Sequence, residues 1–368
     1  MRRERIVARP DWPARVESLG FHFHTLDGAP YWREDVCYVF DSEQIDTLEA
    51  AITELHGLCL EAVDRIVHTG RYAELGLDGH AAALIERSWR NRDPALYGRM
   101  DLSYTGHGAP KLLEYNADTP TALLEASVVQ WYWLAETQPD ADQFNSIHER
   151  LVEHWRQVLP PRSTVHFAAS YENPEDAATC DYLLDTCLQA GHAAQALDIE
   201  QIGWSGRDFI DLENLPIGRL FKLYPWEWML AEPFAQHLPQ ARLQWIEPPW
   251  KMLLSNKAIL PLLWEFFPGH PNLLPASRHR ADISGAAVQK PYWGREGQGV
   301  HVLAAHESPL ATAEPCVFQA FAPLPRFDSR HALVGAWVIG GVAAGIGMRE
   351  DVDAVTRNTS QFVPHYFR

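Results

Sequence analysis

Residues 96–118 read LYGRMDLSYTGHGAPKLLEYNAD, and this stretch sets the architecture built around it. Two short alternating runs flank the Gly- and Pro-containing loop TGHGAP at 105–110, a pattern that predicts a β-hairpin. Strand periodicity puts residues two apart on one face. Arg99 and Asp101 therefore share a face of the first strand, and Glu114 and Asn116 a face of the second. If Tyr104 lies opposite Lys111, Asp101 faces Glu114 and Asn116 faces Arg99. Carboxylates directly across a ladder repel each other, so something positive must offset them, either Arg99 or a bound hard cation. A set of Asp, Glu and Asn oxygens is what Mg²⁺ takes when it also holds phosphates and water. On the hairpin alone two other readings stay open: a solvated hairpin with an ordinary ion pair, and a glycosidase-type carboxylate pair.

A second constellation lies at 287–303, AVQKPYWGREGQGVHVL. Lys290 ends a short alternating strand, and Gly294, Gly297 and Gly299 form a turn before β character resumes. Glycines let backbone N–H groups approach a polyphosphate, and a lysine supplies a point charge. Neither a Walker pattern nor a dinucleotide fingerprint is present. SNKAILPLLW at 255–264 places Lys257 at an expected helix start with Ser255 as its N-cap, a position that favours phosphate. Oxygen-rich metal ligands and phosphate-directed lysines together are what an ATP site without a P-loop needs.

Working outward, Asp41 and Gln44 form a capping-box pattern ahead of apolar residues recurring at three and four from Ile45 to Ile66, with Gly70 as the stop. A shorter helix is expected over 79–89, and further helices over 120–137 and 140–158. The strand STVHFAAS at 163–170, the helix after it and a Gly turn resemble a βαβ unit, and RLFKLYPWEWMLAEPF at 219–234 continues that sheet. A small hairpin is expected around Asp27–Gly28, and short strands from about 286 onward.

The chain has 368 residues, 46% of them apolar, enough for two or three cores. The 48 acidic residues against 31 Lys and Arg give a net charge of −17, which argues against a general nucleic-acid binder. No apolar run reaches the length of a membrane span, and no apolar segment follows the basic N-terminus as a secretory signal requires. Five cysteines, an odd number, are spread thinly, so the expected setting is reducing and cytoplasmic. Most of the 14 Trp sit beside other apolar residues and read as core.

RMDL…KLLEYNADTPTALLEA, EPPWKMLLSNKAILPLLWEFFPGHPNLLPA, VQKPYWGREGQGV and GAWVIGGVAAGIGMREDVDAVTRNTSQFVPH closely resemble the glutathionylspermidine synthetase family, in particular its synthetase-only members provisionally described as acid–amine ligases. The resemblance implies a mixed α+β chain, an ATP-grasp fold with a pre-ATP-grasp domain. The expected division is 1–245 for the helical region, hairpin and pre-ATP-grasp-like unit, and 246–368 for the nucleotide-binding part, which also packs against the 99–118 hairpin. It further implies that Asp101, Glu114 and Asn116 coordinate Mg²⁺ and that Arg99 steadies the transferring phosphoryl group. Lys257 and Lys290 would hold ATP phosphates with the loop of Gly294 and Gly297, and Arg349 would act at the phosphates or the reacting centre. Gln319, in CVFQAF, would sit on the strand that meets adenine.

The implied activity is ATP-dependent ligation of a small carboxylate to an amine through an acyl phosphate. A phosphotransferase or ATPase of the same fold, and a nucleotide-binding protein without turnover, remain alternatives. Bifunctional family members carry an amidase domain that has no counterpart here, so no hydrolytic activity is expected. Glutathione-specific members carry serines and a cysteine after EYNAD; here Thr119 and Thr121 keep hydroxyls, while Ala122 replaces the cysteine and puts glutathione in doubt. Glu227, between tryptophans in YPWEWML, either meets an amine substrate or forms an internal ion pair. His22, His24, Cys180 and Cys187 read as structural, and His148 and His154 as surface residues.

Overall fold

The computed structural model describes residues 1–26 and 28–368. Its centre is an antiparallel sheet in which strand Tyr97–Ser103 lies between Lys111–Asn116 and Arg330–Ile339, with Val342–Asp351 and Gln361–Val363 continuing outward. Every residue of Tyr97–Ser103 is buried. Helix Ser42–Thr69 packs against the two long C-terminal strands. It begins with the expected capping box, in which Gln44 N–H donates to the Asp41 carboxylate and the Gln44 side chain accepts from the Asp41 N–H. It ends at Gly70 in the left-handed region, where a residue without Cβ costs least. Helix Gly79–Asn91 follows. The N-terminal strand Arg2–Arg5 pairs antiparallel with Val36–Phe40, which pairs on its other side, in parallel, with His365–Phe367, so the two chain ends meet in one small sheet. Thr25–Leu26 and Ala29–Pro30 pair as a hairpin; Asp27 in its turn lies outside the described residues.

A second layer is a parallel sheet in the order Gln244–Ile246, Arg219–Leu223, Thr164–Ala169, Ala193–Asp198. Helix Pro174–Gln189 crosses between the last two strands, which is the expected βαβ unit. Helix Trp226–Ala231 follows Arg219–Leu223. A third sheet joins Ala276–Ser277, Cys316–Ala320, Ala287–Pro291 and His301–Leu303, all antiparallel. Two large apolar clusters run through these layers. Mixed α and β layers of this kind match the expected fold class.

Local departures from the sequence reading have physical causes. The helix expected over 120–137 begins at Leu123 and runs to Thr137, with one π-helical turn at Glu125–Val129 ahead of Gln130–Thr137. Helix Ile147–Val158 starts later than 140, because residues 141–146 are spent on bridges to Phe367 and Gly345. Ser255 is not an N-cap; it closes the short helix Met252–Ser255, and its hydroxyl accepts from the Ala117 N–H. Asn256 turns the chain instead, accepting from the Ala258 N–H before helix Ile259–Phe266, so Lys257 lies in a turn between two helices. His154 is half-buried at the surface: its Nε2 lies 2.8 Å from the Ala95 carbonyl and its ring packs on Gly340. All five cysteines are free thiols. No described helix is long and apolar enough to cross a membrane.

Candidate active site

In the hairpin, Arg99 pairs with Asn116 and Asp101 with Glu114, the register expected from the sequence. The expected Tyr104–Lys111 pair does not form. A bulge after Asp101 shifts the ladder, and Lys111 pairs with Ser103; the extra residue is absorbed between the site and the loop, leaving the site's register intact. Gly335 on the neighbouring strand faces Asp101, and a Cβ there would lie 3.1 Å from Arg99 Cδ. Glycine thus makes room for the arginine to lie flat. Arg99 Nε donates to Asp101 Oδ1 at 2.8 Å and Nη1 to the Thr121 carbonyl at 2.6 Å, while the guanidinium sits over Trp337.

The three oxygen-bearing side chains converge. Asn116 Nδ2 lies 3.4 Å from Asp101 Oδ2 and 3.3 Å from Glu114 Oε1. A flip of the amide, whose orientation is an assignment, would present three oxygens to one point. Lys257 Nζ is 3.3 Å from Glu114 Oε2 and donates to the Gly294 carbonyl at 2.7 Å. Lys290, buried, donates to the Leu113 carbonyl at 2.7 Å and to Gln319 Oε1 at 2.8 Å. Burial pulls the Lys290 ammonium down to about 8, against the attraction of Glu114. Burial alone would raise Glu114, but Lys257, Lys290, the Asn116 hydrogen bond and Arg99 outweigh it and hold the carboxyl at about 2. The Glu114 carboxylate is thus ionised and compensated by cations, and Asp101 is paired with Arg99. That donor set fits a hard divalent ion, and two carboxylates with one amide leave further positions for phosphates and water.

Two cavities meet at this hairpin. The first, which Asp101, Glu114, Lys290, Gly297 and Gln319 line, has apolar walls that include Val288 and Leu333, a slot suited to a flat heterocycle and its phosphates. The second is polar and joins Arg99, Asn116, Thr119, Thr121, Glu227 and Arg349. Of the residues picked from the sequence, all border these two cavities except Lys257, which reaches their shared wall through Glu114 and Gly294. Gln319 contributes its side chain to the hairpin, donating to the Leu112 carbonyl. Thr119 and Thr121 are fixed through their backbone carbonyls, by Arg295 and Arg99. Arg349 Nη2 donates to the Arg357 carbonyl, while its Nε is buried without a partner. Gly297 has φ +71°, and a Cβ there would clash with the Thr356 carbonyl oxygen, so only glycine lets the loop close on that segment. Burial, then Asp118, raises the Glu227 carboxyl above its ordinary range.

Residues 3–368 match the family model described as glutathionylspermidine synthase preATP-grasp. The chain belongs to the glutathionylspermidine synthase family. Among its relatives is a Haemophilus influenzae protein provisionally named an acid–amine ligase, 42% identical over 384 residues, with 98% of this chain and 97% of that one covered. The bifunctional glutathionylspermidine synthetase/amidase of Escherichia coli is 26% identical over 89% of this chain, and a Crithidia fasciculata trypanothione synthetase 24% identical over 84%. The chain spans 58% and 53% of those two. A glutathione synthetase-like effector from Globodera pallida shares the fold, with a TM-score of 0.56 at 10% identity over 90% of this chain and 89% of that one.

Several charged residues of this family member escaped the sequence reading. Asp118 Oδ1 pairs with Lys222 Nζ at 2.6 Å, and its Oδ2 accepts from the Trp226 N–H. Glu247 Oε2 pairs with Lys251 Nζ at 2.7 Å, while Oε1 accepts from the Leu96 and Tyr97 N–H groups. Lys251 also donates to the carbonyls of Tyr97 and Ala117. These four side chains are almost wholly buried, and they tie both hairpin strands to the ends of the parallel strands Arg219–Leu223 and Gln244–Ile246. The signal was present in RLFKL and EPPWK, where a charge interrupts an apolar run.

Proposed function

We propose that the protein is an ATP-dependent carboxylate–amine ligase that uses Mg²⁺, with a small peptide or amino acid as the acid. The observation that carries this reading is the convergence of Asp101, Glu114 and Asn116 with Lys257 and Lys290 on a hairpin between an apolar-walled slot and a polar cleft. In this reading the nucleotide occupies the slot and residues 246–368 with the 99–118 hairpin form the nucleotide-binding part, ahead of which 1–245 contributes the pre-ATP-grasp-like unit.

Asp101, Glu114 and Asn116 would hold Mg²⁺, which when bound supplies charge neutralisation to the polyphosphate. Lys257 and Lys290 add fixed positive charge near Glu114, and Arg99 and Arg349 would act where charge develops on the transferring group. The carboxylate of the acid lies beside Thr119 and Thr121. Its phosphorylation gives an acyl phosphate, and the amine displaces phosphate to form the amide. A wider cleft of about 870 Å³ opens from the same place, bordered by Asp176, Glu227, Trp228, Trp293 and Glu314 among others. Carboxylates and tryptophan faces suit a cationic amine.

The deciding assay offers Mg-ATP with panels of short peptides and polyamines, reads ADP release, and searches by mass spectrometry for a product lighter than its two parts by one water. Nucleotide turnover without any amide would favour a phosphotransferase instead.

A further inference from the structure

Away from the hairpin, a cavity of about 400 Å³ opens between the π-turn at Glu125–Val129 and helices Gln130–Thr137, Ile147–Val158 and Pro174–Gln189. It shares no lining residue with the slot or the clefts of the candidate active site. Leu19, Leu124 and Val128 give it an apolar side. Trp131 and Tyr132 also line it, their rings edge to face at 4.9 Å, and remain 47% and 42% exposed. On the polar side each donor group is engaged. The Ser127 hydroxyl donates to the Leu123 carbonyl at 2.6 Å, and Asn145 Nδ2 donates to the Ser127 carbonyl and to Gln143 Oε1. Gln189 Nε2 donates to Asp185 Oδ2 at 2.7 Å. That bond leaves Gln189 Oε1 to accept from His148 Nε2 at 3.1 Å, so His148 Nδ1 accepts from the Tyr182 hydroxyl at 3.0 Å. What remains is acceptor capacity. Asn145 Oδ1 is buried with no partner. The Glu149 and Asp185 carboxylates line the same cavity, and no lining residue is Lys or Arg. A buried acceptor without a donor costs free energy, so this wall suits a ligand that brings N–H groups and positive charge.

We propose that this cavity is a second binding site, for a small organic cation: a protonated amine carried on an apolar body. The ammonium donates to Asn145 Oδ1, and Glu149 and Asp185 offset its charge. The apolar body lies against Leu124 and Val128, with the Trp131 and Tyr132 rings adding the attraction of aromatic faces for a cation. The chain's net charge of −17 draws ligands of that sign toward the surface. The site is separate from the nucleotide slot and from the amine cleft, and it stands whether or not the ligase reading does.

The test titrates phenethylamine, and phenethyl alcohol as its neutral counterpart, into full-length protein carrying ¹³C-labelled Leu and Val methyl groups. The methyl resonances of Leu19, Leu124 and Val128 should move together along one saturating curve with the amine, and the alcohol should bind at least about fivefold more weakly. Trp131→Ala should weaken the amine by about fivefold. Glu149→Gln combined with Asp185→Asn should bring the amine down to the affinity of the alcohol; both side chains are exposed, and the asparagine keeps an acceptor for Gln189, so the fold is spared. Glu227→Gln, in the active-site cleft, should leave the curve unchanged, which separates this site from the amine cleft. Motionless methyl groups, equal affinity for amine and alcohol, or wild-type affinity in both the Trp131 and the carboxylate variants would overturn the proposal. So would movement of the same resonances with protein concentration alone, accompanied by a dimer in analytical ultracentrifugation that Trp131→Ala abolishes, because the face would then bind a second copy of the chain. Nucleotide turnover plays no part in any of these readouts, so failure of the ligase reading leaves them intact.

Discussion

At the residue scale, the site is a balance of charges in which each carboxylate already has a cationic neighbour. Replacing Asp101 or Glu114 by Ala should abolish Mg-dependent nucleotide turnover and leave the chain folded, as circular dichroism and steady-state ADP release would show. Unchanged turnover in both variants would remove the metal assignment. Lys290 donates to the hairpin and to Gln319 while facing the slot. Its replacement by Ala should cost about 1.5–3 kcal/mol of nucleotide interaction, or roughly one to two orders of magnitude in kcat/KM for ATP; an effect under about threefold would count against it. Ala122 adopts φ +65° at the start of the segment that leads to Glu125. With no thiol there, glutathione with spermidine should be a poor pair in the ligation assay, and rapid glutathionylspermidine formation would overturn that specificity while leaving the ligase reading intact.

At the element scale, the glycine loop and the hairpin depend on backbone geometry that side chains cannot replace. Gly297→Ala forces both a left-handed non-glycine residue and a clash with the Thr356 carbonyl, so the loop must lift. The KM for ATP should rise several-fold with the global melting temperature little changed; an unaltered KM would place the loop outside the nucleotide site. The capping box at Asp41 offers a control far from the chemistry. Asp41→Ala should cost about 1 kcal/mol in denaturant unfolding without altering turnover. The bulge after Asp101 shows why strand register was legible only where it mattered. Alternation fixes which side chains share a face, but an extra residue can be absorbed anywhere a bend is tolerated.

At the scale of the whole molecule, the two buried ion pairs join layers that are distant in sequence. Lys222→Met leaves Asp118 buried with only the Trp226 N–H, and should destabilise the chain by about 3–5 kcal/mol. Adding Asp118→Asn should recover part of that loss, since no uncompensated charge remains. Denaturant melts of the single and double variants would check this, and strict additivity would show that the pair does not interact.

The sequence by itself determined the long capped helix, the βαβ unit, the pairing of Asp101 with Glu114, and the blocks that mark the family. Each of these rests on local periodicity, a turn residue or a short motif, and such signals reach only a few residues along the chain. Tertiary structure alone decided the rest. It turned the expected helix start at Ser255 into a turn capped by Asn256, and it diverted residues 141–146 into bridges. It also buried Asp118, Lys222, Glu247 and Lys251 against partners up to 154 residues away. The physical reason is that a charge becomes costly only once it is desolvated. Which charges are desolvated, and what compensates them, depends on sheets and helices that meet after the chain has folded.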